Sequence, residues 1–407
     1  MTRINFRRMF ILAGLVSLAL IYTILWLRMI TTQEQRVGAD FIGHYTAGRL
    51  AQTDGFTAIY NIVKQQAIQA QVVGFMFDES QTGYFTHPPF IVPLVTLITS
   101  ADYLPSLIRW TVILLALNFT CSLLLVRTLP QASFRRSELW AIGLGAFLFF
   151  PTFSGLMNGQ DTLLLLLGTT LLLHEMLNQR DLRAGLGLSL ITIRPQMAII
   201  LALPFLVRRR KIFWGFVIGG AVLVLLSLAL IRVNGLLDYV KILRVVEGGM
   251  WDHPHAVDMP TISGILRRNL PALDQNIYRA IMWGGFAAGT AGICIWWARV
   301  KEINEQHIGL LCLLALLFVP YAHYHELTML LIPTFCLMRI LARRNLVSSA
   351  NLAMMPVALS LLMLPGFLGA GGLKYPLTYL VVALLGFFLL FPEKISRVIK
   401  RNAIGTP

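Results

Sequence analysis

The sequence predicts an all-α integral membrane protein, a polytopic bundle of about 10–12 helices at ~20 apolar residues per crossing. Three observations carry this. Of the 407 residues, 57% are hydrophobic. Only 13% are charged, against about 25% in a soluble domain. Mean hydropathy is +0.70, and the apolar residues fall in long runs between short basic loops. Most of such a chain's apolar surface faces lipid, where helices satisfy every backbone group internally. The net charge of +15 does not point to a nucleic-acid partner, because the basic residues lie between spans, as cytoplasmic loops do. Cys121, Cys294, Cys312 and Cys336 sit inside apolar runs without metal or disulfide spacing and read as packing residues.

Residues 1–8 are basic, with Arg3, Arg7 and Arg8, and 9–30 are apolar and long enough to span. No small-residue cleavage site follows, so an uncleaved anchor with a cytoplasmic N-terminus is expected. Arg28, near the outer end, reads as snorkelling to headgroups. Residues 31–87 form a first extracytoplasmic loop. A helix is expected over 39–51, with Asp40, His44, Ala47 and Ala51 on one face. Phe41, Tyr45 and Leu50 are expected to rest in the interface. Asp54-Gly55 marks a turn, and 64–73 a second surface helix. His87-Pro88-Pro89 leads into 90–100, too short to cross and read as broken or re-entrant.

Spans follow at 104–126, 139–153 and 163–177. Arg127, Arg135, Arg136, Arg180 and Arg183 mark inner turns, and residues 157–161 an outer one. Residues 184–207 are interrupted at Arg194-Pro195-Gln196, and parity asks for a hairpin of two short helices with its tip outward. A span at 212–231 precedes a second long outer loop, 232–275. That loop holds Trp251-Asp252-His253-Pro254-His255, whose histidines read as surface residues. Spans at 277–297, 308–321, 327–341, 352–368 and 375–391 complete one polytopic domain over 1–407. Residues 350–401 read as supporting helices with a basic cytoplasmic tail.

The usual soluble signatures are absent: no P-loop, no Rossmann glycines, no His-Glu-x-x-His, no Gly-x-Ser-x-Gly. No Asp-x-Asp pair offers a nucleotide-sugar site. What remains is a ring of polar residues at outer helix ends. Asp40 reads as a general base or as a helix N-cap. His44 reads as its orienting partner or as an interfacial residue. Arg194 would grip a phosphate bidentately, or sit in a buried ion pair. Asn158 and Gln160 contact a ligand or cap their turn. His323, His325 and Glu326 would meet phosphate or sugar; a divalent cation held with Asp40 is the other reading. Tyr45, His87, Asp161 and Gln196 complete the candidate substrate contacts.

Together Gly38-Ala39-Asp40, Tyr45-x-Ala47-Gly48, Ile59-Tyr60-Asn61, His87-Pro88-Pro89, Asn158-Gly159-Gln160-Asp161, Arg194-Pro195-Gln196 and the cluster at 323–326 resemble glycosyltransferase family 87. This is a membrane family of the GT-C superfamily, similar to polyprenol-phosphate-mannose-dependent α-mannosyltransferases. The likeness runs over roughly the first 340 residues, with most of its weight before residue 200. The family usually has Tyr-Pro-Pro at His87, Asn at Asp161 and Lys-Pro at Arg194-Pro195. The last swap keeps a cation; the others leave sugar and acceptor open.

The resemblance implies a GT-C-type bundle and an inverting single displacement from a polyprenyl-monophosphate sugar, mannose above all. The acceptor would be a glycan or glycolipid. Asp40 would be the base, with Arg194 and a histidine of the 323/325 pair stabilising the leaving phosphate. The site would lie on the extracytoplasmic face of the cell membrane, with both termini cytoplasmic. Two other classes compete. A transporter or flippase of lipid-linked glycans would show paired halves and polar clusters on both faces, which the sequence lacks. A non-catalytic membrane subunit would not need the polar ring.

Overall fold

The computed structural model describes residues 6–37, 40–75, 82–246, 256–368 and 372–395. The Trp251 to His255 stretch, Gly38-Ala39 and the tail beyond residue 395 lie outside them. Every regular element among the described residues is helical. Six helices are long and apolar enough to cross a membrane: Phe6–Thr31, Tyr103–Thr128, Arg210–Val245, Gln275–Arg299, Tyr324–Arg343 and Ser349–Gly366. A seventh crossing arises if Arg136–Phe147 and Phe150–Asn158, bent by 42°, act as one. The remaining elements in the sequence count are the shorter apolar helices Pro89–Ile98, Thr162–Leu177, Pro195–Val207, Glu305–Phe318 and Lys374–Leu390.

The long helices are two-faced in an unusual sense. In Phe6–Thr31, Gly14, Leu18 and Tyr22 recur every four residues and are buried, while Leu12, Val16, Leu20, Ile24 and Leu27 are exposed. Both faces are apolar, so one packs on protein and the other suits lipid.

The first loop folds as the pattern predicts. Helix Phe41–Thr53 is followed by Ile62–Val73, whose N-terminus is capped by Asn61 accepting from the Lys64 amide at 3.0 Å. The interfacial placement of Phe41, Tyr45 and Leu50 is corrected: all three are buried in the protein core. A period of three to four marks an apolar face but does not say whether protein or headgroups cover it.

Proline sets the break at Arg194. Pro195 opens helix Pro195–Ala202, and a proline disfavours helical backbone in the residue before it; Arg194 takes φ −124° and ψ 85°. The two flanks of the interruption come back to one place. Arg209 pairs with Asp181 at 2.7 Å, and Gly185 lies so close to helix Arg210–Val245 that a Cβ there would meet the Ile212 carbonyl at 2.0 Å. That return is the hairpin the loop charges asked for.

Helix Arg210–Val245 breaks at Arg232, with φ 55°, where the sequence ends the span. It then continues through residues assigned above to an outer loop, and Ile262–Asn269 is helical as well. Residues 233–245 are amphipathic with Lys241 and Arg244, and their charge hid a helix that packs Tyr239 on Tyr60 at 4.6 Å between rings.

Groups expected on the inner side touch one another. Arg339 donates to the Thr128 carbonyl, Glu305 pairs with Arg339 and Arg343 at 3.5 and 3.4 Å, and Arg208 donates to the Ala298 carbonyl at 3.0 Å. The groups expected outside contact one another around Arg194.

Candidate functional site

Four sequence-distant elements meet at Arg194. The turn at 159–161 begins with Gly159, left-handed at φ 67°, where a Cβ would sit 2.7 Å from the Phe41 Cβ. Glycine is needed both for the turn and for this approach. The Trp110 indole donates to the Gly159 carbonyl at 2.7 Å and fixes the turn from the neighbouring helix. The next two residues are thereby held against the first loop and the Arg194 break.

Asp161 is wholly buried and accepts from Arg194 Nη2 at 2.8 Å. Glu326, also buried, accepts from Arg194 Nε at 3.0 Å. Arg194 Nη1 donates to His87 Nδ1 at 2.7 Å and reaches the Ile193 carbonyl at 3.4 Å, and Nη2 also reaches Gln160 Oε1 at 3.4 Å. Every N–H of the guanidinium therefore has an acceptor. Arg194 thus sits in a buried ion pair with Asp161 and Glu326.

Asp40 is exposed at the start of helix Phe41–Thr53, in the N-cap position, but its side chain does not cap the helix. Its Oδ2 instead accepts from Gln160 Nε2 at 2.6 Å. Gln160 thus bridges Asp40 to Arg194. His44, expected beside Asp40, is turned inward: its Nε2 lies 3.4 Å from Asp161 Oδ2 and its ring packs on Phe41, Phe85, His87 and Trp110. Tyr60 donates to the His87 carbonyl at 2.5 Å and holds that segment in place.

On the far side, helix Phe150–Asn158 packs against Tyr324–Leu330, with Thr152 and Thr328 sharing a 2.6 Å hydrogen bond. This presents Glu326 to Arg194. His325 Nε2 lies 3.6 Å from Glu326 Oε2, the His323 amide donates to the same oxygen, and the His323 and His325 rings are 5.5 Å apart. Asp40, His44, His87, Gln160, Asp161, Arg194, His323, His325 and Glu326 are therefore assembled together. Three candidates are not. Tyr45 turns away to the Ala101 carbonyl at 2.6 Å, Gln196 donates to the Tyr321 carbonyl at 3.5 Å, and Asn158 ends its helix without a side-chain bond to the cluster. Trp110 and Tyr60 were not singled out from sequence, since nothing distinguishes them from other aromatics in apolar surroundings.

Arg194 can only donate, so His87 Nδ1 accepts and the imidazole is neutral with its proton on Nε2. Burial pushes the His87 imidazole from 6.5 down to about 3; Asp161 opposes the shift, and Arg194 and His44 add to it. Burial works against the Asp161 charge, yet the Arg194 guanidinium holds that carboxyl well below the usual carboxylate range. A pH dependence follows. Below its ordinary 6.5 the unfolded chain binds a proton at His87 that the folded chain refuses until about 3, so stability falls as pH drops through that window. Thermal midpoints in detergent between about pH 7.5 and pH 5 should fall less in His87→Gln than in the parent. An identical slope in both would contradict a neutral His87.

The divalent-cation reading joined Asp40 to His323, His325 and Glu326. The ligand-bearing group within reach of one ion is instead His44, His87 and Asp161, whose donor atoms lie within 4.8 Å of one another among the described residues. It fits a metal poorly. The lone pair of His87 Nδ1 already accepts from Arg194, and a guanidinium 2.7 Å away repels a cation.

The comparisons agree with this end of the molecule. Residues 85–322 match the model of glycosyltransferase family 87, which covers His87, Gln160, Asp161 and Arg194; residues 323–326 follow directly on the matched stretch, and Asp40 lies well before it. Neither the curated proteins nor the solved structures give a match. With more than half of its length matched, on an all-helical bundle with six or seven spanning helices, the chain belongs to glycosyltransferase family 87 and is a membrane glycosyltransferase.

Proposed function

We propose that the chain is an inverting glycosyltransferase that moves mannose from a polyprenyl monophosphate to a glycan or glycolipid on the extracytoplasmic face of the cell membrane. One observation carries this reading: the exposed carboxylate of Asp40 is tied through Gln160 to the buried Arg194 cluster. Asp40 is the base that takes the proton from the acceptor hydroxyl as it attacks the anomeric carbon. Gln160 orients the carboxylate. Arg194, with every donor engaged, positions the site rather than gripping phosphate. The leaving lipid phosphate then falls to His323 and His325, next to Glu326 on the other side of Arg194.

The test is the donor class. Purified protein in lipid should transfer labelled sugar from a polyprenyl phosphomannose to a mannoside acceptor and none from GDP-mannose. Transfer from the nucleotide sugar alone would overturn the assignment.

A further inference from the structure

We infer that a cavity beside Asp40 is an acceptor subsite for an anionic, phosphate-bearing headgroup, recognised by Arg36 and Arg49. The inference rests on Asp40 being the base. The cavity has a volume of about 320 Å³, at the small end for a ligand site and close to one phosphorylated sugar. Its walls come from helix Gln33–Val37, helix Phe41–Thr53, helix Ile62–Val73 and the start of Tyr103–Thr128, and include Arg36, Arg49, Tyr45, Tyr103, Gln71 and Asp102. Val37 and Tyr45, both in the lining, flank Asp40 in the chain. Phe41, the residue after Asp40, packs its ring on Tyr45 and Tyr103 at 6.5 and 5.6 Å. Asp40 is not itself in the lining; the cavity approaches it through Tyr103, whose ring packs on Phe41. Its walls are pinned: Tyr103 donates to the Arg36 carbonyl at 3.2 Å and Tyr45 to the Ala101 carbonyl at 2.6 Å.

The charge balance separates this place from the Arg194 cluster. Arg194 faces two carboxylates and has no donor to spare. Arg36 spends one hydrogen bond on the Ile30 carbonyl at 3.2 Å, and Arg49 one on Gln52 at 3.1 Å. Among the described residues no carboxylate pairs with either guanidinium. Asp102 lines the same wall without reaching them, so two cations and one anion leave the lining net positive. Half-buried guanidiniums with free N–H groups are what a phosphate needs for bidentate recognition. The geometry of an inverting displacement assigns the substrate. The base and the departing phosphate stand on opposite sides of the anomeric carbon, so a phosphate site on the base's side belongs to the acceptor.

Two measurements test this on the full chain in nanodiscs. The first is binding of octyl mannoside and of its 6-phosphate. The phosphorylated probe should bind about tenfold tighter or more, the weight of a charge-assisted hydrogen bond. Arg36→Gln with Arg49→Gln should erase that preference, the paired Lys variants should keep part of it, and Asp40→Asn should keep all of it. The second is turnover. The double Gln variant should raise the acceptor KM about tenfold or more for the phosphorylated probe and leave the donor KM and kcat alone. Equal binding of the two probes by the parent protein, or a rise confined to the donor KM, would overturn the inference. If no lipid phosphosugar serves as donor, the proposed reaction fails, while a phosphate preference lost in the double variant still supports the cavity.

Discussion

Replacing Asp40 by Asn is expected to lower sugar transfer by about 10²–10⁴-fold, the range for removing a general base. Asn keeps the shape of the side chain and can still meet Gln160 after an amide flip, so the fold should not suffer. Asp40 is exposed and buries nothing on its own. A structural role would show as a lowered melting point with activity to match. A base role shows as lost kcat with an unchanged thermal midpoint and unchanged donor binding. Gln160→Ala is the companion variant: it frees Asp40 without removing it, and its loss should be smaller. Full activity in Asp40→Asn would remove this carboxylate from the chemistry.

The second large effect is on stability. Arg194→Ala leaves Asp161 and Glu326 buried with no cation between them, and an orphaned buried charge costs about 3–5 kcal/mol. We expect aggregation or a strongly lowered melting point in detergent rather than a folded, slow enzyme. Removing all three charges should behave differently, because well-packed apolar residues can replace a buried ion cluster at little cost. Arg194→Met with Asp161→Leu and Glu326→Leu is expected to recover much of the thermal midpoint and none of the activity. Poor folding in the triple variant together with good folding in Arg194→Ala would reverse the account.

Much of this was legible in the chain because lipid leaves the backbone few choices. The apolar runs became helices, and Pro195 announced the break at Arg194. The basic loops ordered the ends well enough that Asp40, Gln160, Arg194 and Glu326 were expected together and are together. What could not be read is pairing. Nothing local says that Asp161, 33 residues from Arg194, is its partner, or that His44 turns to Asp161 rather than to Asp40. The i, i+4 spacing puts His44 and Asp40 on one face, but helix packing swings the imidazole into the core. The same limit hid Arg36 and Arg49. On a one-dimensional reading they are two more arginines near a membrane, and only the fold shows them sharing a cavity wall. Residues 233–245 were missed because charge on an amphipathic helix looks like a loop when the neighbouring helices are fully apolar.

The most direct test of the central claim is the anomeric configuration of the product, read by NMR after transfer from a polyprenyl phosphosugar of defined anomer. A single displacement with Asp40 as base predicts inversion at the anomeric carbon. Retention would mean two displacements and a covalent or ion-paired intermediate, and would contradict the role given to Asp40.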